Sequence, residues 1–291
     1  MPKETCDLCG GGAFRRLPYY YLLKGARIYG ARCSGCGLVT VSPMPAASDL
    51  AVLYNEEYFR GDYHCGHRES YEEESFGEEH EGILDKFISL RPSGRLLEVG
   101  AAGGKFLLGA REKGYLVFGI EVSPDACAMA GKLGIPHFCG ELHEARLPDG
   151  SFDLVYMGDV LEHLPGPYEA LRELNRILSP GGVLGLSCPT NIGLLSSRVG
   201  LKAYSLMGRE RAAPLPPYHL YEFTPAHLKR LLGKAGFRVV EVEAGVIPPW
   251  RIQLRGSLFE KAMKAALHWP NYLVTLLTGR MGDRVTIFAL K

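Results

Sequence analysis

The stretch Arg95 to Leu107, Arg-Leu-Leu-Glu-Val-Gly-Ala-Ala-Gly-Gly-Lys-Phe-Leu, constrains the fold of this chain more than any other. Leu96, Leu97 and Val99 have the character of a short buried strand, and Gly100 to Gly104 make a turn of small residues. Phe106, Leu107, Ala110 and Arg111 then take up helical spacing. A strand, a tight turn and a helix N-terminus together cradle a nucleotide. Backbone N–H groups and the positive helix end face the ligand, and glycine admits the backbone where a Cβ would clash. Glu121 closes the next apolar run, Leu116 to Ile120, about 20 residues on, where a carboxylate can hold ribose hydroxyls.

Spacing separates the cofactors that use such a turn. A dinucleotide fingerprint needs Gly-x-Gly-x-x-Gly, but Ala102 stands third and no glycine falls sixth. A phosphate loop needs Ser or Thr after the lysine, and Lys105 is followed by Phe106. Glu98, two residues before the first glycine, makes the segment resemble the class I S-adenosylmethionine-dependent methyltransferases, which usually carry glycine where Ala102 stands. Three further pieces agree with that resemblance. Gly140 to Asp153 is similar to the family's segment between its third and fourth strands. Leu178-Ser-Pro-Gly-Gly182 is similar to its turn before the fifth strand, and His219-Leu-Tyr-Glu-Phe-Thr-Pro225 to its segment before a late helix.

The resemblance implies an α/β fold, a Rossmann-like seven-stranded methyltransferase sheet whose last strand runs antiparallel between strands five and six. It implies S-adenosylmethionine as cofactor, with Glu98, Gly100, Ala101, Ala102, Gly103 and Gly104 at the turn, Glu121 and Val122 at the ribose, and Glu141 and Leu142 at the adenine. Phe152 to Met157 reads as the fourth strand, an apolar run suited to a sheet covered on both faces. Ligands bind beyond strand carboxyl ends in such sheets, so Gly158, Asp159, Glu162 and His163 are expected to meet cofactor or substrate. The late segment brings His219 and Tyr221 near the methyl acceptor. His163 is the leading candidate base because an unperturbed imidazole titrates near neutrality, and His219 is its rival.

Ahead of this core, Cys6-Asp-Leu-Cys9-Gly10 is answered by Cys33-Ser-Gly-Cys36-Gly37. Each C-x-x-C-G turn aims two thiolates at one point, and Cys6, Cys9, Cys33 and Cys36 form the closed four-sulfur set of structural Zn2+. Tyr19 to Leu23, Arg27 to Arg32 and Leu38 to Val41 supply ribbon strands. Residues 1–45 carry Lys3, Arg15, Arg16, Lys24, Arg27 and Arg32 against Glu4 and Asp7. That local excess of positive charge suits a phosphate on a small molecule, an RNA backbone, or simply a solvated face. A four-cysteine ribbon leading through Leu53-Tyr-Asn-Glu-Glu-Tyr-Phe59 into a class I core is similar to the deoxysugar C-methyltransferases, whose substrates are nucleotide-linked sugars. Those enzymes carry a further large C-terminal domain, for which this chain is too short.

The expected organisation is a zinc ribbon at 1–45, an acidic and aromatic helical segment at 46–94, and the methyltransferase domain at 95–291, with a substrate loop at 191–217 and a helical insertion at 246–278. In the second segment Tyr63 and Tyr71 are either lid residues over the cofactor or ordinary anchors of a helix. In the insertion, Trp250 to Leu277 reads as amphipathic helix, a lid or a dimer surface rather than a membrane-surface element. The net charge of +1 gives no global field toward nucleic acid or an anionic membrane, and no segment reaches spanning length. The start lacks a signal-peptide core, so a cytoplasmic protein is expected. Three functions are consistent with these features: methyl transfer to a small molecule, methyl transfer to RNA through the ribbon, and cofactor binding without turnover.

Overall fold

A computed structural model describes residues 5–46, 48–50, 77–213, 215–250, 258–279 and 282–291. Tyr63 and Tyr71 lie outside the described residues.

The apolar runs of the core become a seven-stranded sheet. Its strands are β4 (Arg95–Val99), β5 (Leu116–Glu121), β6 (His137–Cys139), β7 (Phe152–Gly158), β8 (Leu178–Pro189), β11 (Arg238–Gly245) and β12 (Arg284–Leu290), in the order β11-β12-β8-β7-β4-β5-β6. The strands β4 to β8 run parallel, and β12 is antiparallel to both β8 and β11. This is the expected topology, with the last strand slotted between the fifth and sixth. Leu96, Leu97, Leu154, Val155, Leu184 and Leu186 are fully buried because helices cover both faces of the central strands.

On one face Phe87 of helix α1 (Glu78–Leu90) packs edge-on against Phe288 at 5.7 Å, and Phe106 of α2 (Lys105–Glu112) lies 4.6 Å from Tyr156. The helix α3 (Pro124–Lys132) follows β5, and its N-cap Ser123 accepts the Ala126 N–H. On the other face lie α4 (Pro167–Ile177) and α6 (Pro225–Lys234), contributing Leu171, Leu174, Leu228, Leu231 and Leu232.

The cysteine ribbon is continuous with this second face. Its strands β1 (Phe14–Leu23), β2 (Ala26–Cys33) and β3 (Val39–Ser42) form an antiparallel meander. Leu8, Ile28, Leu38 and Val41 join the same apolar cluster as α4 and α6. Two short strands from the core chain extend the meander: β9 (Arg211–Ala212) pairs in parallel with β1, and β10 (Tyr221–Glu222) pairs antiparallel with β3.

Side chains fasten the same junction. The buried Tyr221 hydroxyl donates to the Asp7 carboxylate at 2.6 Å and lies 2.9 Å from the Pro165 carbonyl oxygen. His227 accepts the Thr224 N–H on Nδ1, which leaves its Nε2–H to donate to the Cys36 carbonyl at 3.2 Å. Burial holds His227 below its ordinary pKa, in keeping with a neutral ring.

Two segments differ from expectation. The stretch 191–217 holds a helix, α5 (Leu195–Leu206), rather than a continuous loop. Its helix-breaking prolines, Pro214, Pro216 and Pro217, all fall beyond that helix. Among its described residues the insertion forms a helix as expected, α7 (Leu258–Thr278), with Pro270 inside it; the departure is in the face it buries. Its polar residues His268, Asn271 and Thr275 are buried, while Leu273 and Leu277 are 52% and 84% exposed. The inward polar face has a physical reason: His268 donates to the Ile247 carbonyl at 2.7 Å, and Asn271 accepts the Leu195 N–H at the start of α5. No helix among the described residues is long and apolar enough to cross a membrane.

Replacing Tyr221 by Phe leaves the half-buried Asp7 carboxylate without its hydroxyl donor. Loss of a hydrogen bond to a charged group predicts destabilisation of about 1.5–3 kcal/mol, read as a lowered urea midpoint; an unchanged midpoint would show that the contact holds nothing.

Candidate functional site

The small-residue turn is held by the strand it follows and by the carboxylate at the end of the next one. Gly100 and Ala101 donate their N–H groups to the Ile120 carbonyl at 2.8 and 3.0 Å. Ala102 has φ +45°, the left-handed region that glycine enters freely and alanine does not, and its N–H donates to Glu121 Oε2 at 2.8 Å. Glu121 Oε1 accepts the N–H groups of Val122 and Ser123 at 2.8 and 2.9 Å. The buried Glu121 is thereby clamped between the turn and the start of α3. Gly100 has φ +76°, and a Cβ there would overlap Val160. Gly104, the N-cap of α2, has φ +80° and sits against Ala130 and Ile135. Glu98 is buried beneath the turn and Val122 is exposed beside it.

Glu141 and Leu142, the pair expected at the adenine, lie in the turn after β6. The Glu141 side chain is exposed, 3.2 Å from His143 Nδ1, and Leu142 is half-buried on the edge of the core.

The third group stands at the carboxyl end of β7. Asp159 takes φ +52° and donates its N–H to the Ser187 carbonyl at 3.0 Å. Its carboxylate pairs with Arg284 at 2.6 Å. Glu162 is wholly buried, with Oε2 accepting the Cys188 thiol at 3.2 Å. Burial, reinforced by the negative charge of Asp159, pushes the Glu162 carboxyl up to about 8. Burial, followed by the charge of Glu162, likewise pushes the Cys188 thiol up. The His163 Nδ1 lies 2.9 Å from the Tyr218 carbonyl oxygen, so it carries the proton and the accepting lone pair is on Nε2. Nε2 is 3.7 Å from Glu162 Oε1, and the His163 and His219 rings meet edge-on at 4.9 Å. Donor atoms of Glu162, His163 and His219 all lie within 4.8 Å of one another. Burial lowers the His219 pKa, against a smaller opposing pull from Asp159.

The structure thus brings His163 and His219 together, while the Tyr221 hydroxyl is committed to Asp7. Sequence reasoning missed Arg284 and Cys188. Neither lies in a motif, and only the sheet order could have found them. An antiparallel β12 delivers its first residue, Arg284, to the edge where β7 and β8 end, and Cys188 pairs with Val285 in that register.

A methyltransferase-domain family model matches residues 69–242, more than half of the chain. The chain belongs to the methyltransferase-domain family. A ubiquinone biosynthesis O-methyltransferase of Xanthomonas axonopodis pv. citri is 30% identical over 180 residues, covering 58% of this chain and 73% of that protein. One from Xanthomonas oryzae pv. oryzae is 29% identical over 174 residues, covering 56% and 70%. Among solved structures, a SAM-dependent methyltransferase from Archaeoglobus fulgidus superposes with TM-score 0.53 at 21% identity, over 81% of this chain and 97% of that one. One from Mesorhizobium loti gives 0.52 at 20% identity, over 74% and 99%. The fold is therefore that of the S-adenosylmethionine-dependent methyltransferases, and this methyltransferase is an enzyme of that class.

The turn and its clamped acid fit that cofactor. The backbone is narrow where a nucleoside approaches, and a carboxylate is fixed at the adjacent strand end. The cysteines also fit a tetrahedral metal. All four sulfurs lie within 4.8 Å of one another. The Cys6–Cys36 and Cys9–Cys33 pairs are each 3.5 Å apart, far beyond a disulfide bond. Gly10 and Gly37, after each second cysteine, take φ +73° and +82°, the turn that lets both thiols face inward.

The raised Glu162 carboxyl predicts a pH effect on stability. Its folded pKa of about 8 lies above the ordinary 4.5, so its favourable contribution is complete below 4.5 and is lost as pH rises toward 8. Glu162→Gln stays neutral throughout. Its urea midpoint should fall less than that of the wild type over this range, whereas parallel pH profiles would show that Glu162 is not the titrating group.

Proposed function

We propose that this methyltransferase moves the methyl group of S-adenosylmethionine to an ionisable hydroxyl of a small-molecule acceptor, with His163 as the general base. The observation that carries this reading is the hydrogen bond from His163 Nδ1–H to the Tyr218 carbonyl, which puts the proton-accepting lone pair on Nε2. The O-methyltransferase names of the Xanthomonas relatives support oxygen as the acceptor atom and a small molecule as its carrier. A nucleotide-linked sugar, the acceptor class of the enzymes that the ribbon and core together resemble, also falls within this reading.

When bound, the cofactor supplies the electrophilic methyl of its sulfonium. The chain aligns the partners and takes the acceptor's proton. The turn Gly100 to Gly104 receives the nucleoside, with Glu98 beneath it, and Glu121 offers ribose hydroxyls charge-assisted bonds worth roughly 1.5–3 kcal/mol each. Val122 lies beside Glu121 at the ribose, Glu141 and Leu142 border the adenine, and Gly158 and Asp159 border the end nearer the acceptor. His163 Nε2 accepts the hydroxyl proton, and His219, whose pKa burial lowers, packs on its ring as neutral imidazole. Zinc in the four-cysteine set has no open coordination position and serves to fold the ribbon.

Label from methyl-tritiated S-adenosylmethionine should enter the low-mass fraction of a host extract and survive nuclease. Nuclease-sensitive label in the large fraction would overturn the small-molecule reading. His163→Ala should lower the rate by about 10²–10⁴-fold while leaving S-adenosylhomocysteine affinity unchanged, and an unchanged rate would remove His163 as the base.

Metal analysis should find one zinc per chain. Stripping it with a chelator should unfold the ribbon and lower the thermal midpoint, and a metal-free protein of equal stability would exclude the structural role.

A further inference from the structure

A cavity of about 590 Å³ lies between the ribbon, α5 and the start of α6, in the range of small-molecule sites. Its cations are Arg15 and Arg32 of the ribbon and Arg198 and Lys202 of α5, and Leu17 and Leu201 contribute apolar wall. Among the described residues no carboxylate lines it, and no ion pair joins any of the four cations to an acid. None of its lining residues belongs to the glycine turn or to the Glu162–His163–His219 cluster.

The arrangement of these charges works against folding. Arg15 and Arg32 are direct cross-strand partners in the β1–β2 register, where like charges repel. Arg198 and Lys202 are four residues apart on one helix, a second repulsive pair. Elsewhere on the ribbon, cations are compensated: Arg16 and Arg27 pair with Glu210, at 2.5 and 3.7 Å, and Lys24 with Asp49 at 2.5 Å. Two repulsive pairs on one cavity with no acid among its described lining residues suit an anion that neutralises them, and the apolar wall gives room for an organic body attached to it.

We infer that this cavity is a second binding site, selective for a small organic phosphate whose phosphate group is held by Arg15, Arg32, Arg198 and Lys202. The Thr224 N-cap of α6 also opens on it, adding the positive end of a ten-residue helix to the same field. The site is independent of the methyl-transfer reading and stands or falls on binding alone.

The test is titration calorimetry of the full chain with phenyl phosphate, inorganic pyrophosphate and a short single-stranded RNA. Phenyl phosphate should bind saturably and weaken as salt rises. The double variant Arg198→Gln/Lys202→Gln should weaken it by about ten-fold or more, with S-adenosylhomocysteine binding unchanged and the thermal midpoint no lower. Arg16→Gln, on a residue already paired with Glu210, should leave phenyl phosphate binding as it was. Tighter binding of inorganic pyrophosphate than of phenyl phosphate would overturn the selectivity for an organic phosphate. Absence of saturable phosphate binding, equal affinity in the double variant, or binding of the RNA alone would each overturn the site.

Discussion

The segment Tyr218 to Glu222 is the constraint on which both halves of the molecule depend. On one side, the Leu220 carbonyl accepts the Val41 N–H and the Thr40 hydroxyl, each at 3.0 Å, and Tyr221 and Glu222 add a strand to the ribbon. On the other side, the Leu220 N–H donates to the Glu162 carbonyl at 2.8 Å, and the Tyr218 carbonyl fixes His163. Five residues therefore carry the ribbon's position into the tautomer of His163 and the placement of its neighbour His219. A ribbon folded by its four cysteines is part of the scaffold of that cluster.

A second clamp sets the cofactor end. Ala102 holds a left-handed conformation that costs an alanine roughly 1 kcal/mol or more. Its N–H gains a charge-assisted bond to Glu121, in a buried setting where such bonds are strong. The acid that is expected to meet ribose is thus also the group that shapes the turn. This coupling accounts for how a chain with alanine in place of the usual glycine keeps the turn closed.

Sequence made much of this legible, for physical reasons. Doubly buried parallel strands leave uninterrupted apolar runs, so β4, β5 and β7 could be read directly. The C-x-x-C-G knuckles announce their own turns, because glycine is needed at the positive φ that Gly10 and Gly37 adopt. What stayed hidden depends on distant pairing. The Tyr221 hydroxyl was expected at the acceptor and instead joins Asp7 from the far end of the chain. Arg284 reaches Asp159 only because β12 runs backwards through the sheet. The helix α5 lay in a stretch rich in glycine and serine, and its docking on α7 through Asn271 has no local signature. The polar inward face of α7 inverts the pattern that periodicity is used to detect.

The buried acid of the cluster links stability to chemistry. A fully buried carboxyl near the ion-paired Asp159 is costly to ionise, and a thiol donor from Cys188 offsets little of that cost. Below its raised pKa the fold therefore keeps Glu162 as a neutral acid beside two imidazoles. A neutral acid 3.7 Å from His163 Nε2 does not form the ion pair that an ionised one would form with a protonated ring. As pH rises toward 8, ionising Glu162 withdraws stability from the fold. The folding free energy is thereby tied to the titration of one carboxyl, held where burial alone would favour an apolar side chain.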